Sequence, residues 1–433
     1  MLVAASSWLE GGKRVRRLTL APERRSLLSA MVAILLCLSA MLVASSSDRT
    51  DTVARESPND NGPIPAWPFA LTVHDPILVA SNAEFTYANG VILGSGTEPD
   101  PYIIADWEIN ASTAHGIIIQ GTDAHFVVRN CHIHDGRTTH NHGVLLSSCV
   151  NGTLENLTCS NNSIGISLQS SGNNRLLSNK ISNSALEGIR LNSSSDNNTI
   201  IDNNGGIRLY SSSNNTITNN NCADRGIGLL DSSSNNTLIG NNCLRAGINL
   251  AFSSNNTLSG NDCSEVDGDI GAYGIRLYSS SSNILVNNTC NLSTLCGLSL
   301  STSSNNNTLI GNDISSNFGY GISVSSSNDN RIWNNTFMNN WIQASDTGTN
   351  NRWNSTDGYG NYWSDWTTPD VDPPFGIVDL PYNISGSAGA KDYYPLTNTP
   401  TAPMPEFAIM PLVVMVLLVA TILTGRARRR KAQ

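Results

Sequence analysis

The feature that most constrains this chain is a repeat. Residues 115–340 resemble themselves at short range: "GIRLYSSSNNTITNNNC" (206–222) is followed by "GIGLLDSSSNNTLIGNNC" (226–243) and "GINLAFSSNNTLSGNDC" (247–263). A glycine followed by an apolar residue recurs at Gly116, Gly143, Gly165, Gly188, Gly206, Gly226, Gly247, Gly274, Gly297 and Gly321. Nine intervals span 205 residues, a mean of about 23. Helical repeats run above about thirty residues, whereas a β-rich unit this short stacks as a solenoid.

Each position in the unit has a physical reading. The alternation of Ile207 and Leu209 has strand period and turns Arg208 and Tyr210 outward. A second frame places Asn three residues, and an apolar residue or Cys five residues, after an apolar position: Leu176/Asn179/Ile181, Ile217/Asn220/Cys222, Leu238/Asn241/Cys243. It continues through Leu258/Asn261/Cys263, Leu285/Asn288/Cys290, Leu309/Asn312/Ile314 and Ile332/Asn335/Phe337. Asn tolerates the left-handed conformation of a sharp bend, and stacked side-chain amides can bond from coil to coil. With right-handed crossovers favoured, the expected fold is all-β: a right-handed parallel β-helix of about ten coils over 70–340. The 18-residue step from Gly188 to Gly206 predicts a shortened turn, and "SEVDGDIGAY" (264–273) an outward loop. Cys131, Cys159, Cys222, Cys243, Cys263 and Cys290 sit five residues after apolar positions and read as core residues. Stacked neighbours such as Cys222 and Cys243 are candidates for a disulfide in a secreted protein.

The ends read differently. Basic "KRVRR" and "ERR" precede the apolar run 27–44 and a small polar "SSS", the order of a secretory signal; residues 1–47 are a cleaved signal or a retained anchor, followed by a linker over 48–69. Residues 341–396 are rich in Trp and Tyr and read as the cap of an open solenoid end, and 397–406 as a Pro-rich spacer. The apolar run 407–425 is long enough to span a bilayer, and the basic "RARRRK" after it keeps the tail of 407–433 cytoplasmic. Between the ends, residues 48–403 hold 14 basic against 31 acidic groups, a net of −17. Such a body repels a phosphate backbone, which excludes nucleic acid as a partner.

The "GIxL…SSxNNT…NN" units, the leader "GVILGSGTEPDPYIIADWEI" (90–109) and the tail "GNYWSDW…DLPY…DYYPL" (360–396) resemble archaeal cell-surface proteins with NosD-type parallel β-helix repeats. The resemblance covers roughly 70–430. It implies the same fold, and NosD proteins are periplasmic accessory factors of nitrous oxide reductase described as copper-binding. "PEF" (405–407) with the apolar run after it resembles an archaeal sorting signal, which implies a membrane transpeptidase as partner. A fold of this kind hosts many functions, so chemistry has to come from sites.

"CHIHDGRTTHNHG" (131–143) packs four of the chain's seven histidines into thirteen residues. With Ile133 inward, His132 and His134 face out, and the loop from Asp135 to Asn141 brings His140 and His142 back to the same edge. His132, His134, Asp135, His140 and His142 are thus candidate ligands for copper or zinc; a solvated loop is the alternative. Asp370, Asp372 and Asp379 in "PDVDPPFGIVD" are a sparse candidate for calcium, which takes six or more oxygens. The outward stripe with Arg190, Arg208, Tyr210, Arg276 and Tyr278 is a candidate face for an acidic glycan. Asn110, Asn151, Asn197, Asn214, Asn235, Asn255, Asn306, Asn334 and Asn383 head Asn-x-Ser/Thr sequons. These are acceptors for N-glycans in a secreted protein, although the turn chemistry of the repeat also generates "NNT". No recurrent Asp pair of the kind glycoside hydrolysis needs is visible. The expectation is a membrane-anchored surface protein that binds polysaccharide or plays a structural part. A metal-handling accessory protein and a carbohydrate-active lyase or hydrolase are the alternatives.

Overall fold

A computed structural model describes residues 5–10, 13–18, 71–267, 272–372 and 376–400. The chain divides into two compact units, residues 1–66 and 67–433. In the first, Ala5–Glu10 pairs antiparallel with Lys13–Leu18. Both apolar runs, 27–44 and 407–425, lie outside the described residues, as do the linker, the spacer beyond residue 400 and the "PEF" segment. Among the described residues no helix is long and apolar enough to cross a membrane.

The second unit is a right-handed parallel β-solenoid of about 11 turns. Its Gly–apolar strands form one 12-stranded sheet, from Ile77–Val79 to Ile342–Asp346. The strands after "NN" form a second 12-stranded sheet ending at Arg331–Trp333. A third face begins with Thr72–His74, Trp107–Asn110, His132–His134, Thr158–Ser160 and Lys180–Ser182. It narrows to single bridges through Asn204, Asn221, Asn242, Asp262 and Thr289. The count of about ten coils falls short because the first and last strands of the Gly–apolar sheet lack the glycine mark. That glycine recurs because of crowding: a Cβ on Gly143 would lie 2.5 Å from the Gly165 carbonyl of the next coil.

Inward residues stack in register. Ile207 pairs with Ile227 and Leu209 with Leu229, all buried, and each such side chain contributes ~1.5–3 kcal/mol of burial. Asn179, Asn220, Asn241, Asn261, Asn288 and Asn312 form one buried column, extended by Asn203, Asn335 and Asn361. A second ladder, which the three-and-five frame does not reveal, runs from Asn174 through Asn198, Asn215, Asn236, Asn256, Asn283, Asn307 and Asn330 to Asn351. The ladder asparagines are not the residues that take the left-handed bend. The left-handed residue is the one before the ladder Asn in every rung but that of Asn361, as at Asn219 (φ 55°), Asn235 (φ 57°) and Asn255 (φ 59°). The ladder Asn is selected for its amide, which satisfies buried backbone groups that water cannot reach.

All eight cysteines of the solenoid are buried and free. Cys131 stands in the ladder-asparagine column rather than the apolar one, since Val128 pairs with Leu154 and Ile133 with Cys159. Burial pushes the Cys131 and Cys296 thiols up to about 12, which suppresses thiolate chemistry. The segment 264–273 is only partly outward, because Val266 and Ala272 within it are buried.

Both ends of the stack are closed. Phe85 stacks on Tyr102 (4.5 Å) and packs on Phe126 (5.8 Å) at the start. At the other end Phe337, Trp363 and Tyr382 stack at 4.4 and 4.1 Å over a buried Trp353. The ladders point their N–H groups toward this end, and two buried aspartates receive them. Asp392 Oδ2 accepts from the Asn361 backbone (2.7 Å) and the Trp363 indole (2.9 Å), and Asp346 Oδ1 from the Asn351 amide (2.9 Å). Trp341 and Tyr393 belong to the aromatic-rich segment but are exposed and take no part in the closure.

Candidate metal centre

Three neighbouring coils of the third face bring the candidate ligands together. In Trp107–Asn110 and His132–His134 the register pairs Glu108 with His132 and Asn110 with His134; the next coil places Thr158 and Ser160 beside the two histidines. Ile109, Ile133 and Cys159 are inward and fully buried, so Glu108, His132 and His134 share the outer face and are half-buried. The ligand atoms of these three residues lie within 4.8 Å of one another. The two imidazole rings are 4.7 Å apart, and His134 Nε2 is 3.6 Å from Glu108 Oε1.

A second layer of contacts fixes the rings. Asp135 Oδ2 lies 2.8 Å from His134 Nδ1, and Asn161 donates to Asp135 Oδ1 at 2.7 Å. The Asn161 amide, and then His134, hold the Asp135 carboxyl below its usual range. His132 Nε2 is 3.0 Å from Ser160 Oγ. Burial, and then the neighbouring His134, lower the His132 pKa, so its ring is neutral and able to donate a lone pair at neutral pH. Two imidazoles with one carboxylate suit a divalent copper or zinc ion, and a carboxylate bound to the far nitrogen of a ligating histidine orients it.

The five residues singled out from sequence divide. His132 and His134 converge, with Asp135 behind them. His140 lies on the exposed loop in a left-handed conformation (φ 62°) and joins nothing. His142 turns away and stacks on His115 at 4.7 Å, while its backbone N–H donates to His115 Nδ1 at 2.8 Å. The loop lies back along the following coils, where Arg137 binds the Asn183 carbonyl at 3.0 Å, and so it does not return to the first histidine pair. Glu108 was missed. Its signal is the "WEI" alternation, which reads as an outward carboxylate only once the coil register aligns Ile109 with Ile133.

The other candidates fare differently. Asp379 spends its carboxylate on the Val371 N–H (2.9 Å), and Asp370 on the Gly376 N–H (2.7 Å). Among the described residues no cluster of three ligand groups forms there, so the calcium reading finds no support in the geometry. Arg190 and Arg208 occupy adjacent rungs of the Gly–apolar face, while Arg276 and Tyr278 stand three rungs beyond Arg208 and Tyr210. Arg276 lies over the rings of Tyr273 and Tyr278, at 5.3 and 5.2 Å. Asn334 is buried and unsuited to a glycan; Asn110, Asn197, Asn214, Asn235, Asn255, Asn306 and Asn383 are exposed, and Asn151 half-exposed.

Fold and site together define a parallel β-solenoid whose early coils present a histidine–carboxylate cluster. The family model described as "Periplasmic copper-binding protein (NosD)" matches residues 77–245 and 206–368, and the chain belongs to that family. No curated protein matches the sequence. The solved structures that are similar at low identity include three described by their activity on alginate or mannuronan. One is a double mutant of the periplasmic alginate epimerase AlgG (15% identity, 63% of this chain and 75% of that one, TM-score 0.41). The others are the A-module of the Azotobacter vinelandii mannuronan C-5 epimerase AlgE4 (16%, 60% and 87%, TM-score 0.38) and an alginate lyase from Paenibacillus sp. str. FPU-7 (12%, 59% and 94%, TM-score 0.34).

Proposed function

We propose that this protein is an extracytoplasmic, membrane-anchored binding protein of the cell envelope that holds a divalent copper or zinc ion in its early coils. The convergence of Glu108, His132 and His134 within 4.8 Å carries the reading. These three residues would hold the ion, with Asp135 and Ser160 orienting the two rings. A bound copper ion would supply a redox-active, Lewis-acidic centre at the surface of the solenoid. Titration of the metal-stripped full-length chain in detergent with Cu²⁺, followed by electron paramagnetic resonance, should show one site with nitrogen ligands. Loss of that site in His132→Ala/His134→Ala and its retention in His140→Ala/His142→Ala is the expected pattern. Equal uptake by wild type and the His132/His134 variant would refute it.

The anchoring part rests on the basic clusters beside both apolar runs, and the "PEF" segment supports the reading of an archaeal sorting transpeptidase as a partner. Protease added to intact cells should digest residues 70–396; complete protection would refute an external body. A second reading, that the Gly–apolar face engages an envelope polysaccharide, is favoured by the two Arg–Tyr groups spaced three rungs apart along it, about 14 Å at ~4.8 Å per rung. Depolymerisation of such a polysaccharide by the purified chain would replace binding with catalysis.

A further inference from the structure

The coil from Gly188 to Gly206 is short in one particular place. Only two residues separate its ladder asparagine, Asn203, from Gly206; eight separate Asn179 from Gly188 in the coil before, and five separate Asn220 from Gly226 in the coil after. The missing residues are those that make the outward turn. The neighbouring turns therefore stand proud on either side of a gap. Gly206 forms its floor, Leu186 and Glu187 one wall, and Arg208 and Arg225 the other, around a volume of about 270 Å³.

Arg225 reaches across the gap and binds the carbonyls of Leu186 (2.5 Å) and Ser184 (3.1 Å), residues two coils away. Arg208 folds over Gly228, where a Cβ would lie 2.7 Å from its Cδ, and donates to the carbonyls of Gly226 (3.1 Å) and Arg225 (2.7 Å). These carbonyls fix the two guanidiniums in place but do not neutralise them. Glu187 does not neutralise them either, because it is engaged by Arg190 and by the Tyr210 hydroxyl (3.2 Å). Among the described residues neither Arg208 nor Arg225 forms an ion pair with a carboxylate. Two oriented and uncompensated cations thus border one recess on a body that is otherwise strongly acidic. A guanidinium has five N–H donors, so both retain donors for an anion.

We propose that this notch binds one acidic sugar unit, a uronate, of a linear polysaccharide lying along the Gly–apolar face. The proposal rests on the polysaccharide reading given above and assigns its anchoring point. The volume accommodates a sugar ring. Leu186, which is 49% exposed, offers an apolar surface to the ring's C–H face, and Arg208 and Arg225 meet the carboxylate. Charge density favours a glycan over a duplex. A duplex carries one charge per ~1.7 Å and is repelled by the acidic body, whereas a polyuronate carries at most one per sugar and needs only a local cationic pair. The Arg276–Tyr273–Tyr278 group further along the face would meet a later unit of the same chain.

The test uses the full-length chain in detergent, with digalacturonate and its methyl ester as probes, read by titration calorimetry or ligand-detected NMR. Digalacturonate should bind and the methyl ester should not. Arg208→Gln should weaken binding about tenfold through loss of a charged hydrogen-bond donor. Arg331→Gln, at an exposed position on the second sheet, should leave it unchanged. Arg190→Gln, which frees Glu187 to face the notch, should weaken binding in the same direction and serves as the second variant if Arg208→Gln misfolds. Equal binding of the ester, displacement by equimolar inorganic phosphate, or wild-type affinity in Arg208→Gln would each overturn the assignment. If polygalacturonate binding is lost in Arg276→Gln but not in Arg208→Gln, the notch is wrong while the polysaccharide face survives. If neither probe nor polymer binds, both fall.

Discussion

Replacing Asn241 by alanine tests what the ladder contributes. Asn241 Oδ1 accepts from the backbone N–H and the side-chain amide of Asn220, both at 3.0 Å, and its own amide donates to the Ile217 carbonyl and Asn261 Oδ1, both at 2.9 Å. Not all of these leave an orphan. The Asn220 amide keeps the Ile200 and Thr218 carbonyls, and Asn261 Oδ1 keeps the Asn241 backbone N–H. The Ile217 carbonyl keeps its partner in the parallel ladder with Thr237–Ile239, so the one uncompensated group is the buried Asn220 N–H. At ~1–3 kcal/mol for that unsatisfied group and ~0.5–1.5 kcal/mol for the bonds lost with the side-chain amide, the cost is about 3 kcal/mol. At 1.4 kcal/mol per factor of ten, amides of the flanking coil should exchange about a hundredfold faster. Hydrogen exchange read by mass spectrometry on peptides covering 216–222 measures this, with peptides covering 320–325 as a remote reference. Asn235→Gly is the control, because Asn235 is exposed and left-handed (φ 57°) and glycine suits that conformation. A change below tenfold at 216–222, or one as large in the control, would show that the amide column is not what holds these coils.

The half-buried His142 ring, stacked on His115, has its pKa lowered from 6.5 to about 4, chiefly by desolvation and then by the nearby His115 and Arg190 charges. Between those values the unfolded chain binds the proton and the folded chain does not, so the stabilisation is complete above pH 6.5 and is lost as pH falls toward about 4. The unfolding midpoint should drop across that window, and His142→Gln should flatten the drop; an identical pH profile in the variant would refute the assignment. Glycopeptide mass spectrometry of protein from its native host should find glycans at exposed sequons such as Asn235 or Asn255 and none at Asn334; occupancy at Asn334 would contradict its burial.

What could be read from sequence was whatever the stacking makes periodic. Ile207, Ile227 and Ile248 meet in register because each must be covered by the equivalent residue of the next coil, so the repeat spacing and the fold carry the same information. The legible part stops where a periodic residue has two explanations. In "NNT" one asparagine takes the left-handed bend and the next gives its amide to the ladder; composition alone cannot divide those roles, because both favour Asn. Cys131 shows the same ambiguity. Counting from Phe126 puts it in the apolar column, but Phe126 begins its strand opposite Gly152, two positions before Val128, the residue that aligns with Leu154. The single ladder column seen in the sequence and the double one in the structure differ for this reason.

The sites were less legible because they depend on coil-to-coil register and on departures from the repeat. His132 and His134 announce themselves by strand alternation, but their carboxylate partner Glu108 lies 24 residues earlier and joins them only through the Glu108–His132 rung. Nearness in sequence misled in the other direction: His140 and His142 are closer along the chain than Glu108, yet the loop that carries them is laid onto later coils by Arg137. The notch followed the same logic. Arg225 and Glu187 belong to turns separated by one whole coil, and they border a common recess only because the intervening turn is missing. In a stacked fold the regular residues hold the coils together and cover one another. Unpaired charge and open volume arise where one coil fails to match the next, so the irregular step at 188–206 carries the notch, whereas the histidine–carboxylate cluster is assembled by the regular Glu108–His132 rung.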